Sequence, residues 1–116
     1  MLSFKNKKVT VMGLGLYQEG SGISATRFLL SRGAKVTVTD LKTEKELAPQ
    51  IKRLGQSAKK IKFVLGRHRD EDFKKADLII KNPGVPRTSK YLAIARGSNI
   101  PIETDISLFF KLTNRK

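Results

Sequence analysis

Short apolar runs rich in β-branched residues alternate along this chain with stretches whose apolar residues recur every three or four positions. The first run, residues 9–12 (Val-Thr-Val-Met), predicts a strand, because such side chains suit a pleated, buried surface. It passes straight into a glycine-rich segment, after which residues 23–32 carry apolar side chains at helical spacing up to a stop at Gly33. Residues 35–40 predict a second strand that ends on Asp40. Thr43 and Glu46 have capping-box spacing and open a helix through Ile51 and Leu54 to a stop at Gly55. A third strand is predicted over residues 61–65, a short polar helix over 70–75 with Asp70 as its cap, and a fourth strand over 77–80. Asn82, Pro83, Gly84 and Pro86 then break the chain. Ser89 caps a helix carrying Leu92, Ile94 and Ala95 and closed by Gly97. Residues 100–103 make a short fifth strand, and Thr104 or Asp105 caps a last helix over 106–112.

Strands separated by helical patterns imply βαβ units with right-handed crossovers. The expected fold is therefore α/β, a Rossmann-like, doubly wound, five-stranded parallel sheet in a single domain over residues 1–116. Ligands of such sheets bind beyond the carboxyl ends of the strands, where the strand order reverses. Three features converge on that edge. They are the glycine loop with Gly13, Gly15, Gly20 and Gly22, the Asp40-Leu41-Lys42 segment, and the Asn82-Pro83-Gly84 turn.

The glycine loop brings backbone N–H groups close to a phosphate, and the following helix points its positive end at the same place. It departs from the dinucleotide fingerprint G-x-G-x-x-G: Gly13 and Gly15 fit, but Gln18 follows, and the next glycines are Gly20 and Gly22. A glycine-rich loop also serves as a plain structural turn. Asp40, 25 residues after Gly15, suits a ribose hydroxyl or base N–H, or else caps the turn before Thr43. Lys42 pairs with a phosphate or is simply solvated. The prolines beside Asn82 and Gly84 build a rigid floor or merely end a strand.

Composition narrows the classes. Hydrophobic residues make up 39% of the 116, enough for a folded core, and there is no cysteine for a disulfide or thiolate metal site. The N-terminus lacks the apolar core of a signal peptide, and no run is long enough to span a bilayer, so the expectation is a cytoplasmic protein without membrane contact. Lys and Arg number 24 against 10 acidic residues, a formal charge of +14 that attracts polyanions. The cations are spread out with no interleaved aromatics, which argues against nucleic acid as a partner. His68, the one histidine, lies in a polar stretch and reads as a surface residue rather than a metal ligand. No nucleophile–base pair stands out, and there is no G-x-x-x-x-G-K-[ST] phosphate loop. The residues by themselves describe a binding domain.

Four segments together carry a resemblance: residues 9–16 (VTVMGLGL), 36–40 (VTVTD), 76–86 (ADLIIKNPGVP) and 100–109 (IPIETDISLF). In this order and spacing the chain resembles the N-terminal domain of the Mur ligases, in particular those that add D-glutamate in peptidoglycan biosynthesis. The resemblance implies a substrate, UDP-N-acetylmuramoyl-L-alanine, and a ligase whose central and C-terminal domains are the partners of this one. It implies that Gly15, Leu16 and Tyr17 line the diphosphate site and that Asp40, with the backbone of Leu41 and Lys42, holds the uracil. Asn82, Pro83 and Gly84 flank the nucleotide. ATP and Mg²⁺ belong to the full-length enzyme, with no cofactor, metal or catalytic residue in this domain. The central domain's phosphate loop begins in the family soon after the position of Lys116, so the chain by itself is expected to bind and not to catalyse. The sequence departs from the family in a longer glycine loop, in Lys42 where arginine is usual, and in Asn82 where serine is common. A nucleotide-sensing, NAD(H)-type Rossmann domain and a basic nucleic-acid-binding protein are the alternatives. Ile106, Leu108, Phe109 and Phe110 are expected to form an exposed apolar surface that supports self-association.

Overall fold

The structure, a computed structural model, describes residues 4–14 and 21–113. Its elements are β1 (Lys8–Met12), α1 (Ser21–Ser31), β2 (Lys35–Asp40), α2 (Glu44–Leu54), β3 (Lys62–Leu65), α3 (Glu71–Lys74), β4 (Leu78–Lys81), α4 (Lys90–Gly97), β5 (Ile102–Glu103) and α5 (Asp105–Thr113). The five strands form one parallel sheet in the order β3-β2-β1-β4-β5. The chain leaves β1 to build β2 and β3 on one side, then crosses back to add β4 and β5 on the other. The order thus reverses between β1 and β4, as the doubly wound expectation requires.

Alternation along the strands sends successive side chains to opposite faces. Val9, Val11, Val36 and Val38 point to one face, where Leu29 of α1, Leu47 and Leu54 of α2 and Leu108 of α5 cover them. Met12 and Ile79 point to the other, beneath Phe73 of α3 and Leu92 and Ala95 of α4. Burial on both faces explains why β1 after Lys8 is buried throughout and reads as a continuous apolar run. The threonines of this strand layer are tolerated because they bond: the Thr10 hydroxyl donates to the Asp72 carbonyl at 2.7 Å.

The caps show which local signals were decisive. Thr43 and Glu46 form the predicted reciprocal capping box of α2, and the Ser89 hydroxyl accepts the Tyr91 N–H at the start of α4. At α5 the cap is Thr104 and not Asp105: its hydroxyl accepts the Ser107 N–H at 3.0 Å, and the Ser107 hydroxyl accepts the Thr104 N–H at 2.8 Å. Asp70 does not cap α3; it has helical dihedrals and no side-chain bond there. Gly97 is the last residue of α4, while the left-handed position that reverses the chain belongs to Asn99 (φ 58°), with the Ile100 N–H returning to the Ala95 carbonyl. A 3₁₀ stretch, Gly55–Lys60, follows α2 where no element was expected; it has no apolar period and no fully buried residue to announce it. Among the described residues, no helix is long and apolar enough to cross a membrane.

Gly22 locks α1 to the end of β1. A Cβ there would sit 2.7 Å from the carbonyl oxygens of Gly13 and Leu14 and 2.8 Å from the Leu14 Cα, all rigid backbone. Gly22→Ala is therefore expected to destabilise the fold by about 1–3 kcal/mol, the cost of overpacking, seen as a lower urea midpoint. Gly97→Ala meets nothing within 4 Å and should be neutral or stabilising in the same titration.

Candidate functional site

The crevice at the carboxyl edge of β1, β2 and β4 is built by three loop starts that grip one another. After β1, Gly13 has φ +90°, a conformation other residues rarely adopt, and a Cβ there would come within 2.9 Å of the Asn82 Cβ. The Gly13 N–H donates to the Thr39 carbonyl at 2.8 Å and the Asn82 N–H to the Met12 carbonyl at 2.9 Å, so the ends of β1, β2 and β4 are cross-linked beyond the sheet.

Asp40 is the centre of this arrangement. One carboxylate oxygen accepts the Leu14 N–H at 3.0 Å and the other accepts the Lys42 N–H at 2.9 Å. Of the two readings of Asp40 drawn from the sequence, these bonds show the turn cap. The side chain is a turn former for residues 40–42, and it stands at the crevice with lone pairs to spare, since a carboxylate has about four acceptor sites. Leu41, beside it, is exposed, with 67% of its surface open to solvent. The Lys42 carbonyl accepts the Gly66 N–H at 2.9 Å, tying the segment after β3 to the same edge.

Opposite, the Asn82 Oδ1 accepts the Gly84 N–H at 2.9 Å and the Asn82 carbonyl accepts the Val85 N–H at 2.9 Å. The turn is thus self-braced, with Pro83 and Gly84 exposed on the crevice side of α4. Asp40 at the end of β2, Leu41 and Lys42 after it, and Asn82, Pro83 and Gly84 after β4 share this edge. Gly15, Leu16 and Tyr17 lie outside the described residues.

His68 was expected at the surface and is instead half-buried. Its Nδ1 lies 2.7 Å from the buried Thr39 hydroxyl, which is also 3.2 Å from the Arg67 carbonyl oxygen. Its ring meets Tyr91 edge-on at 5.0 Å and Phe73 at 5.9 Å. The signal for this packing is three-dimensional: residues 39, 73 and 91 come together only once β2, α3 and α4 are in place. Nearby, Arg69 forks onto Asp72 with two bonds of 2.9 Å, and that pairing raises its pKa. Among the described residues no group of three or more His, Cys, Asp or Glu could hold a metal ion.

Two grooves lie away from the crevice. One, of about 390 Å³, runs between α1 and α5 and is lined by apolar side chains including Phe28 and Phe109. Ile106, Phe109 and Phe110 are exposed there, as the sequence suggested, but Leu108 is buried in the core because it faces α1 and the sheet. The other, of about 620 Å³, is at the opposite edge of the sheet, among Lys8, Lys35, Lys62 and their neighbours.

The sequence profile of the Mur ligase MurD-like N-terminal domain matches residues 7–104. The UDP-N-acetylmuramoylalanine–D-glutamate ligase of Borreliella burgdorferi is 51% identical over 105 residues, 90% of this chain and 22% of that protein. Proteins of the same name from Treponema pallidum and a Roseiflexus species are 46% and 42% identical, over 94% and 96% of this chain and 20% and 23% of theirs. The chain thus spans about a fifth of the length of these curated relatives. Among solved structures, a pseudomurein peptide ligase type C from Methanothermus fervidus superposes with a TM-score of 0.66 at 29% identity, over 89% of this chain and 20% of that one. The shikimate dehydrogenase of Mycobacterium tuberculosis, at 12% identity and a TM-score of 0.56 over 88% of this chain and 47% of that one, shares the fold alone.

Burial holds the His68 pKa below its ordinary value of 6.5, against the opposing pull of Asp40 and Asp72. The unfolded chain therefore takes up this proton first, and stability is complete above pH 6.5 and declines as pH falls from there through the lower folded value. The thermal midpoint of the natural chain is expected to drop between pH 7 and the acid side of 6, and His68→Gln should flatten that slope.

Proposed function

The chain belongs to the MurD-like family of Mur ligase N-terminal domains, and from that we propose that it is the UDP-N-acetylmuramoyl-L-alanine-binding domain of an ATP-dependent D-glutamate-adding ligase. The observation that carries this reading is the crevice in which the Asp40 carboxylate holds the Leu14 and Lys42 N–H groups and the Asn82 N–H is bonded to the Met12 carbonyl. A ligand edge so braced is fixed before binding, which lowers the ordering cost of association.

Each part has a role in that reading. The Asp40 carboxylate accepts from the uracil ring N–H, and Leu41 covers one face of the base. Lys42 and the glycine loop with Gly15, Leu16 and Tyr17 supply positive potential to the diphosphate, helped by the N-terminus of α1. Asn82, which keeps its Nδ2 hydrogens for a ligand, forms the opposite wall with Pro83 and Gly84. The whole enzyme, working in the cytoplasm for cell-wall growth, activates the substrate carboxylate as an acyl phosphate with ATP and Mg²⁺ and passes it to D-glutamate. This chain holds no phosphate loop of the ATP-cleaving type, so its share is to position the nucleotide end of the substrate. By itself it binds and is inactive. The apolar groove between α1 and α5 is the face toward the ligase's other domains.

An amide NMR titration tests the reading. UDP-N-acetylmuramoyl-L-alanine and UDP should both shift Gly13, Leu14, the 40–42 segment and Gly84, while NAD⁺ leaves them in place. An equal or stronger response to NAD⁺ would turn the reading toward a dinucleotide sensor, and silence toward all three would overturn it. Asp40→Asn, which keeps the shape and one acceptor oxygen, is expected to weaken UDP binding roughly tenfold or more in calorimetry, the value of a hydrogen bond to a charged group.

A further inference from the structure

The segment after β3 looks in the sequence like solvated loop, yet it is fastened over the end of β2. Leu65 is the last parallel partner of Asp40 in β3, and after a turn at Gly66 the chain doubles back so that Arg67 pairs with Asp40 in an isolated antiparallel bridge. The Gly66 N–H to the Lys42 carbonyl, at 2.9 Å, and the Thr39 hydroxyl, 3.2 Å from the Arg67 carbonyl oxygen, hold that geometry. His68 anchors the far end through its 2.7 Å contact with the same hydroxyl.

Residues directly opposite across an antiparallel bridge project to the same face, with Cα atoms roughly 4.5–5.5 Å apart. The Arg67 side chain therefore emerges beside Asp40. It is exposed and has no hydrogen-bond or ion-pair partner among the described residues. No ion pair joins it to Asp40, whose two carboxylate oxygens are oriented by the Leu14 and Lys42 N–H groups and keep acceptor sites to spare. The edge thus presents an oriented acceptor next to an uncommitted five-donor cation that never loses its charge.

We propose that Arg67 is a specificity-determining residue of the nucleotide site, its guanidinium donating to the uracil O4 while Asp40 accepts from the ring N3–H. This rests on the nucleotide reading given above and names the residue that makes the site choose its base. The uracil edge runs acceptor, donor, acceptor, and the Arg67–Asp40 pair complements its O4 and N3–H. Cytosine presents an amino donor beside a bare ring nitrogen, so its edge sets acceptor against carboxylate and donor against guanidinium.

Calorimetry on the 116-residue chain with UDP and CDP tests this. The natural chain should prefer UDP, and Arg67→Ala should cut UDP affinity roughly tenfold with little effect on CDP, as expected when a polar partner is removed from a base-reading pair. Arg67→Lys should restore only part of the preference, because a point charge lacks the fork. Lys59→Ala, an equal loss of charge at an exposed position in the 3₁₀ stretch, should change neither affinity. If Arg67→Ala keeps the UDP-to-CDP ratio, whether at full affinity or with both ligands equally weakened, the proposal is overturned while the nucleotide site stands. If the natural chain does not bind UDP, the nucleotide reading falls and takes this proposal with it. An unchanged amide spectrum away from residues 40–42 and 66–68 shows that the variant is folded.

Discussion

A carboxylate at the end of a parallel strand must find donors or remain in water, and Asp40 finds two in the backbone of its own and the neighbouring loop. That solution organises the whole edge. The Leu14 N–H fixes where the glycine loop leaves β1, and the Lys42 N–H fixes the turn that delivers Thr43 to its capping position on α2. The Lys42 carbonyl then receives Gly66, so the segment after β3 inherits its place from the same anchor. Charge-assisted bonds of this kind are stronger than neutral ones, and here one side chain sets the start of three loops.

The second constraint is steric. Gly13 and Gly22 leave out side chains where β1, α1 and the turn after β4 come into contact, and the missing atoms are what let the strand ends approach to hydrogen-bonding distance. Carboxylate and glycines act together: the glycines permit the approach and Asp40 fixes its direction. The edge that results is built largely of main chain whose position is set by the sheet.

Much of this was legible in order and little of it in contact. The apolar runs at β1, β2 and β4 and the helical spacing of α1 and α4 announced a doubly wound sheet, because burial on both faces imprints itself on composition. Thr43 with Glu46, and Ser89 ahead of Tyr91, were readable because a cap is made by residues two or three apart. Asp70 misled for the same local reason: its type suits a cap, but the chain around it is already helical. Asn99 took the reversal expected of Gly97, since asparagine also tolerates left-handed backbone and leaves no unique mark. His68 was misread as a surface residue, and Arg67 was not singled out. Their placement comes from Thr39 and Asp40, nearly thirty residues earlier, across a register that exists only in the folded sheet. Asp40, Lys42 and Asn82 were found as site candidates because strand ends in this fold are known places for ligands, whereas the loop that faces them has no such prior.

The margins of the sheet have a consequence for how this protein behaves in company. β5 contributes two residues and β3 only four, the latter opening on Lys62, so each outer margin offers few unsatisfied main-chain groups and at one of them a charge. Short, charged borders of this sort give an incoming strand little to template on. With a formal charge of +14 adding mutual repulsion, copies of the chain have poor prospects of joining edge to edge, and the sheet stays finite without a dedicated cover.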